Sequence, residues 1–494
     1  MFRPKTDTTT RATTAAYSSV QALRQTFPRR DLTSFFIGAG FCLVAVLTSA
    51  SAGAALGLGS LVAALAFLIL LVGWLLAPHV VVAFVIPYFA FIPAGKIFFS
   101  QWLGATKDAV ALAAAGALLI SLHMRRKHSS RTSLDTPLTV LIAAILGLYV
   151  VNVGGLISGG HHGLAWAQGG RLVAGPLILL AAGLTVTKSA RTLNLAAASL
   201  VFTGCAVALY GIAQQFLGGF WLVSQGYTWN VQVRTLSGHL RSFGTLDEPF
   251  AYAAFLLLAL ATVLFWMRPT LLAGMCGGLI TVGLAASYVR TAILVGVALL
   301  ALWLVRAQRT TAGFFLLAAT AGAALALLFA SAGASETRSV RAGPEEYITL
   351  NGRTTAWKTI FDKPSQLPFG LGVGKVGTAA IRAKEGLVIS TSQVTDSTIA
   401  PDSGYFATAA DVGLVGLALL LALVTRVVIL ALRGTRQPGN AAWLTLAYLI
   451  VILLDAVTRA SFTGFPTAWV GMLLVGLGVA TVSTRTRERL TSVS

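Results

Sequence analysis

The sequence predicts an all-α polytopic membrane protein with about 12–14 transmembrane helices and a long periplasmic loop that contains short helices. Of its 494 residues, 56% are hydrophobic and only 11% are charged, a composition too apolar for a soluble domain. Apolar runs of about 20 residues, the length that crosses a bilayer as a helix, recur along the chain. Runs of this length do not fit the short alternating strands of an outer-membrane barrel.

The apolar runs define about fourteen candidate spans, of which the third is short. Their approximate centres are Phe41, Leu68, Val85, Ala115, Ala144, Ile178, Val207, Leu257, Gly278, Ala298, Ala324, Ala422, Val451 and Val475. We therefore expect transmembrane bundles at residues 33–330 and 408–483.

Basic residues flank the spans unevenly, and this predicts the orientation, because Lys and Arg are retained on the cytoplasmic side. An even number of spans with both termini cytoplasmic places most of the 36 Lys and Arg residues inside, including basic tails at residues 1–32 and 484–494. The short outer loops then hold Lys96, Lys107, Arg171, Arg234, Arg241, Arg290 and Arg459.

Several functional classes do not fit the composition. The net charge is +20, but the basic residues are scattered as helix flanks instead of forming one face, which argues against nucleic-acid binding. Cys42, Cys205 and Cys276 each lie inside a candidate span, without the spacing of a disulfide framework or a metal site. His161 and His162 lack a third ligand nearby in the sequence. We predict no metal and no cofactor.

Two connections on the outer side are long, at about residues 218–249 and 331–407, and loops on a rigid scaffold often carry function. In the second loop, Arg353 to Phe361 reads as a short helix that places Trp357 on the same face as Arg353. GLGVGK, from Gly370 to Lys375, lacks the Ser or Thr that follows the lysine of a P-loop. Gly372, Gly374 and Lys375 read instead as part of a flexible turn whose N–H groups can face phosphate.

Charged residues predicted on the outer side suggest an anion site. Arg234, Arg241, Arg290, Arg353 and Arg459 are far apart in sequence but can converge at the mouth of one bundle. Guanidinium groups bind phosphate oxygens bidentately, which suits a diphosphate. The alternative for each arginine alone is an interfacial residue whose charge reaches water, and Arg459 can also pair with Asp455 one helical turn away.

Outward carboxylates are candidates for accepting a proton from a hydroxyl nucleophile. Asp247 and Glu248 stand at the entrance of a span, and Asp402 stands three residues before Tyr405 at another. Solvation at the surface is the alternative for each of them. The outer loops contain no Asp-x-Asp or Glu-x-Asp pair that would hold a divalent metal beside a diphosphate.

Four segments resemble, in order and spacing, the bacterial O-antigen ligase and O-antigen polymerase superfamily. They are RSFGTLDEPFAYAAFLLL from Arg241, SYVRTAILVG from Ser287, GRTTAWKTI followed by PFGLGVGKVG, and DSGYFATAADVGLVGLALL from Asp402. The resemblance implies transfer of a glycan from undecaprenyl diphosphate to an acceptor hydroxyl, outside the bacterial inner membrane, without metal or nucleotide. It also implies that Arg241 and Arg290 grip the diphosphate, and that Arg353 and the glycine-rich stretch line the same cavity.

One departure from the family pattern favours a polymerase of O-antigen or exopolysaccharide repeats. Ligases of the family carry His-Asn before the Tyr of the fourth segment, where this chain has Asp402 and Ser403. We therefore predict an inverting glycosyltransferase in which Asp402, or alternatively Glu248, orients or deprotonates the nucleophile. The predicted catalytic residues are Arg290, Arg241, Asp402 and Arg353, and the predicted substrate-binding residues are Glu248, Asp247, Trp357, Gly372, Gly374, Lys375 and Tyr405.

The expected partners are the lipid-linked glycan, an acceptor glycan or lipid A-core, and membrane lipid. Two alternatives stay open at this point. One is an O-antigen ligase that transfers the glycan to lipid A-core or another acceptor. The other is a flippase or exporter of the same lipid-linked sugar, which should line its membrane interior with charges, whereas here Asp455 is the main charge deep within a span.

Overall fold

The computed structural model describes residues 58–99, 103–127, 136–157, 163–186, 189–236, 238–268, 270–307, 368–376, 403–436 and 439–493. These residues form thirteen helices and one hairpin. In chain order they are α1 (Leu58–Leu76), α2 (Pro78–Phe98), α3 (Leu103–Lys127), α4 (Thr136–Val151), α5 (Val153–Ile157), α6 (Gly163–Thr185), α7 (Ser189–Ser224), β1 (Arg234–Leu236), β2 (His239–Arg241), α8 (Pro249–Trp266), α9 (Leu271–Ala286), α10 (Arg290–Ala307), α11 (Gly404–Thr435), α12 (Ala441–Thr458) and α13 (Thr467–Val493).

The structure confirms the prediction of an all-α polytopic membrane protein. Among the described residues, nine helices are long and apolar enough to cross a membrane, and Phe67–Leu76 and Leu271–Ala286 are shorter apolar helices. The candidate spans centred near Phe41 and Ala324 fall outside the described residues.

Helix α8 is one of the most buried helices of the bundle. Its sequence is apolar on every side, as expected of a helix surrounded by others, and most of its side chains are fully buried. Pro249 occupies its first turn, where the missing N–H breaks no hydrogen bond. Glu248, at the N-cap position of this helix, therefore lies at one end of the bundle.

Helices α6 and α13 pack closely through small residues. A Cβ on Gly183 would come within 2.7 Å of the Leu473 carbonyl oxygen, and a Cβ on Gly476 would overlap the Leu180 carbonyl oxygen. The ring of Trp469 lies against Gly175. Glycine at these positions allows the two backbones to approach, as small residues do in membrane bundles.

Helix α11 is broken at Gly413, which has a φ of 73°. The segment 368–376 fills the break with backbone hydrogen bonds. The Leu371 N–H donates to the Ala410 carbonyl (2.7 Å), and the Val415 N–H donates to the Pro368 carbonyl (3.2 Å). Backbone groups freed in a membrane helix need such partners, because lipid offers none.

Candidate active site at one end of the bundle

The loop between α7 and α8 is held in place by two consecutive glutamines of α7. The Oε1 atom of buried Gln214 accepts the N–H groups of Phe243 (3.0 Å) and Gly244 (2.9 Å), and its Nε2 donates to the Gly244 carbonyl (2.9 Å). Gln215 Nε2 donates to the Leu240 carbonyl and to Ser242 Oγ. These bonds fix the backbone that immediately follows the β1–β2 hairpin.

The turn between α9 and α10 packs against the same hairpin. The Ser242 N–H donates to the Ala286 carbonyl (2.9 Å), and the His239 ring stacks on Tyr288 with centroids 5.8 Å apart. Tyr288 has a φ of 51°, a left-handed conformation that is uncommon for a residue other than glycine and is found more often at functional sites. Helix α10 then begins at Arg290.

Three arginines meet where the hairpin and this turn come together, and we name Arg234, Arg241 and Arg290 the arginine cluster. Arg234 and Arg241 are paired across the two strands. The Arg241 guanidinium lies 4.8 Å from the Phe250 ring centroid, and its Nε donates to the Ser287 carbonyl (3.3 Å).

The electrostatics of Arg241 reflect this crowding. Burial lowers the pKa of Arg241, and the positive charges of Arg234 and Arg290 lower it further. The Glu248 carboxylate acts on this pKa in the opposite direction. Three guanidinium groups near one another in a partly buried site attract a multivalent anion strongly.

Carboxylates at this end are engaged by other cations. Glu248 forms a hydrogen-bonded ion pair with Arg459, whose side chain is 15% exposed. Arg459 Nη1 also lies 3.7 Å from Asp455 Oδ2, which accepts a hydrogen bond from Ser461. The ion pair of Arg459 with Asp455, which the sequence suggested, is present in the structure. Arg459 also forms a second ion pair, with Glu248.

Asp247 pairs with Lys96, with the Nζ and Oδ2 atoms 2.7 Å apart. The backbone N–H of Ala94 donates to the Thr245 carbonyl nearby (3.0 Å), which joins α2 to the same loop. Basic residues predicted for the outer loops thus gather at one end of the bundle. Arg306 lies at the opposite end, where it donates to the Phe265 carbonyl (2.8 Å).

The N-termini of three helices lie at the same end, because α8 starts at Pro249, α10 at Arg290 and α11 at Gly404. Contacts link them: the Arg459 bond to Glu248, the Arg241 bond to Ser287, and a bond from Ser403 Oγ to the Ala456 carbonyl (3.1 Å). Helix N-termini carry partial positive charge, so they add to the potential of the arginine cluster.

Tyr405, a predicted substrate-binding residue, lies in the first turn of α11. Its ring is perpendicular to Phe462 at 5.1 Å, and its hydroxyl donates to the Leu453 carbonyl (3.1 Å). The hydroxyl is therefore used in holding α11 against α12. Three further predicted site residues, Arg353, Trp357 and Asp402, lie outside the described residues.

The glycine-rich segment, predicted to be a flexible turn, packs into the bundle. It is largely buried, and the Val373 N–H donates to Asn152 Oδ1 (2.8 Å). The Gly374 N–H donates to Asp411 Oδ1 (3.3 Å). Protein side chains therefore accept the hydrogen bonds of these two N–H groups, so neither is available to phosphate in the structure.

The glycines have a packing role in the structure. Gly372 and Gly374 have φ angles of 111° and 79°, and a Cβ on either would collide with the backbone of Gly155 or Ala165. Lys375 is half-buried at the end of the same turn. Substrate binding by these three residues stays a prediction from the sequence.

Sequence reasoning missed Gln214 and Gln215, whose contacts join residues 25 and more positions apart. Two adjacent amides inside an apolar run, just before Gly218, were the available signal, because buried amides need partners. Among the residues the structure describes, no three His, Cys, Asp or Glu side chains are grouped so that they could hold a metal ion.

Comparison with known proteins supports the resemblance. No curated protein matches the chain significantly. Residues 275–421 match the family model described as "O-Antigen ligase". The match includes Arg290, Tyr405 and the glycine-rich segment, whereas Arg241 precedes it. On this match, residues 275–421 of this multi-pass membrane protein are similar to the O-antigen ligase and O-antigen polymerase superfamily.

Proposed function

We propose that this protein is an inverting glycosyltransferase of the bacterial inner membrane that polymerises oligosaccharide repeats carried on undecaprenyl diphosphate. The observation that carries the proposal is the arginine cluster beside Phe250, at an end of the bundle where three helices begin. The family implies a glycosyltransferase-like enzyme, and the cluster supplies the cations that such a reaction needs at its leaving group.

In the proposed reaction, an acceptor hydroxyl attacks the anomeric carbon of the donor glycan. The new glycosidic bond forms as the bond from the anomeric carbon to the diphosphate oxygen breaks, and the electron pair leaves with the lipid diphosphate. A single in-line displacement inverts the anomeric centre. Arg241 and Arg290 stabilise the charge that grows on the diphosphate, and no metal is required.

The hydroxyl proton must go to a base, and we assign this role to Asp402. Glu248 was the alternative, but it already accepts a hydrogen bond from Arg459. The Arg459 guanidinium already occupies one oxygen of this carboxylate, which suits Glu248 to a positioning role. Arg353 and Trp357 would line the same cavity, from the loop that connects to the glycine-rich segment.

A ligase is the second candidate, and the description of the matching family favours it. It would transfer the glycan to lipid A-core or another acceptor with the same donor chemistry. Asp402 and Ser403 stand where ligases carry His-Asn, which is why we place the polymerase first. An exporter of the same lipid-linked glycan is the candidate from another functional class.

We place the active site on the periplasmic side with both termini in the cytoplasm. The support is the distribution of Lys and Arg along the sequence, since cytoplasmic connections carry the excess of positive charge.

The deciding experiment incubates the purified full chain with undecaprenyl-diphosphate-linked repeat units from cells that carry the gene, with a metal chelator present. A ladder of lengthening lipid-linked chains would support a metal-independent polymerase. Transfer only after lipid A-core is added would make the protein a ligase. Absence of transfer with every acceptor tested, for a folded protein, would contradict the proposal and favour the exporter.

A further inference from the structure

One side-chain amide of α7, that of Gln215, bonds to two segments that meet at the arginine cluster. Its Nε2 atom donates to the Leu240 carbonyl (2.8 Å) and to Ser242 Oγ (2.6 Å). These two residues flank Arg241 in the chain. The same atom donates to the Ala286 carbonyl (3.3 Å), at the end of α9. Gln215 therefore ties β2 to the turn between α9 and α10.

The position that this amide occupies requires a hydrogen-bond donor. The partners at Leu240 and Ala286 are carbonyl oxygens, which only accept. The Ser242 hydroxyl uses its own hydrogen to bond to the Gly211 carbonyl (2.6 Å), so it also acts as an acceptor toward Gln215. An amide NH2 group supplies two hydrogens to these three acceptors. Glutamine therefore fits these contacts, whereas a glutamate or a methionine of the same length offers no donor.

The turn between α9 and α10 is ordered up to Arg290. Ser287 Oγ donates to the Leu284 carbonyl (2.6 Å) and accepts a hydrogen bond from the Val289 N–H (3.2 Å). Val289 is the residue before Arg290, with which α10 begins. A shift of this turn relative to β2 would therefore move Arg290 relative to Arg241.

The neighbouring glutamine, Gln214, has different partners. It is buried and bonds to the backbone of Phe243 and Gly244, beyond β2. Gln215 is half-buried, and it adds the contact with Ala286. Gln214 thus holds the loop to α7, whereas Gln215 also fixes the loop against the segment that leads to α10.

Repulsion between the arginines acts to separate the two segments that Gln215 joins. The charges of Arg234 and Arg290 both oppose the charge of Arg241. A carboxylate between the segments would hold them together, but it would also neutralise part of this charge. The Gln215 amide is neutral, so its bonds hold the arginine-bearing segments close while their positive charge stays available to an anion.

We propose that Gln215 is a positioning residue that holds Arg241 and Arg290 at the separation at which both bind one diphosphate. The assignment rests on the proposed function, because the diphosphate is the leaving group of that reaction. Gln215 acts through the two arginines and not on the substrate itself. A single phosphate can bind to one guanidinium, so the separation matters for diphosphate and much less for phosphate. Gln215 thereby makes the arginine cluster selective for diphosphate.

The test measures binding of inorganic diphosphate and of inorganic phosphate to the purified full chain by isothermal titration calorimetry. Gln215→Met keeps the length of the side chain and removes its donors, both in the wild-type chain and together with Arg241→Ala. Ser242→Ala removes one acceptor of the amide and tests the same link independently. Ser199→Ala is the matched control, because Ser199 Oγ joins α7 to the Ala83 carbonyl of α2 (2.6 Å). Ser199 lies about 24 Å along α7 from Gln215, at about 1.5 Å per residue.

Wild-type protein should bind diphosphate more tightly than phosphate. Gln215→Met should weaken diphosphate binding about five- to tenfold, the effect of losing one hydrogen-bonded link, and Ser242→Ala about threefold. Both should leave the affinity for phosphate nearly unchanged. In the Arg241→Ala chain, Gln215→Met should weaken diphosphate binding no further, because its effect depends on Arg241. Ser199→Ala should change neither affinity.

Three results would each overturn the assignment. In the first, folded Gln215→Met and Ser242→Ala prefer diphosphate as strongly as the wild type does, or the wild type has no such preference. In the second, both variants weaken the binding of the two anions equally, which would mean that Gln215 only stabilises the loop. In the third, Gln215→Met weakens diphosphate binding as much in the Arg241→Ala chain as in the wild type. Failure of the proposed function would look different, because diphosphate binding would then be insensitive to Arg241→Ala itself.

Discussion

Replacing Arg241 by alanine removes the guanidinium that lies on Phe250 and bonds to the Ser287 carbonyl. In the proposed reaction this group stabilises the departing diphosphate. Loss of one preorganised donor at a site of developing charge typically lowers the rate about 10² to 10³-fold, which corresponds to roughly 3–4 kcal/mol of transition-state stabilisation. We expect a loss of this size.

The effect on stability should be small and can have either sign. Burial, followed by the charges of Arg234 and Arg290, lowers the pKa of Arg241, so its positive charge opposes folding wherever the guanidinium is protonated, including neutral pH. Removing the charge relieves the cost of burying it and its repulsion with the two neighbours. Loss of the contact with Phe250 acts the other way, by about 0.5–1 kcal/mol. The melting temperature of Arg241→Ala should therefore stay close to that of the wild type.

Arg306 offers a matched control at the opposite end of α8. Its guanidinium lies 5.7 Å from the Phe265 ring centroid, and it bonds to the Phe265 carbonyl and to Asn440 Oδ1. Arg306→Ala removes the same kinds of contact far from the arginine cluster. It should lower the melting temperature and leave the rate per folded molecule unchanged, the reverse of Arg241→Ala.

The assay is single-turnover release of undecaprenyl diphosphate from the lipid-linked repeat, with thermal unfolding of each variant measured in the same detergent. Arg241→Lys should fall between alanine and wild type, about tenfold below the latter, because an ammonium keeps the charge but not the bidentate geometry. If folded Arg241→Ala releases undecaprenyl diphosphate within about threefold of the wild-type rate, the leaving-group role fails.

Three further substitutions probe the surroundings of the cluster. Glu248→Gln removes a negative charge near the arginine cluster, while Asp455 remains near Arg459. Inorganic diphosphate should therefore bind about threefold more tightly, measured by calorimetry. Weaker binding would contradict this electrostatic account. Gln214→Leu leaves two N–H groups and one carbonyl without their partner, and should lower the free energy of unfolding by about 2–4 kcal/mol. The melting temperature should fall, and an unchanged melting temperature would refute the role of Gln214 in holding the loop. Gly374→Ala places a Cβ onto a backbone carbonyl at positive φ, so folded protein by size-exclusion chromatography should fall sharply, and normal yield would argue against the packing seen here.

The sequence was sufficient for the class of fold, because a bilayer imposes length and polarity on every span. Most of the span centres predicted from apolar runs lie within helices of the structure. The break in the long α11 at Gly413 is an exception, because hydropathy does not predict it. The break depends on segment 368–376, far earlier in the chain, and hydropathy contains no information about such a pairing.

The candidate site could be predicted in part for a related reason. An arginine beside an apolar span is conspicuous, so Arg241 and Arg290 were identifiable one at a time. The ion pairs between residues far apart in the chain could not be identified from the sequence. Asp108 and Arg171, for example, are 63 residues apart, and each alone is consistent with an interfacial side chain. Only the packing of α3 against α6 turns them into an ion pair with unsatisfied neighbours.

The way charges are partnered argues for an anionic guest at the arginine cluster. Glu248 is near enough to act on the pKa of Arg241, yet it bonds to Arg459, and Asp247 bonds to Lys96. Arg234 and Arg241 instead donate to the carbonyls of Val231 and Ser287, which leave their net charge uncompensated. An arrangement selected for stability alone would pair these guanidinium groups with carboxylates. Charged guanidinium groups held close together lower the folding stability. A diphosphate bound between them would neutralise their charges, and the attraction would grow as negative charge develops on the leaving group in the transition state.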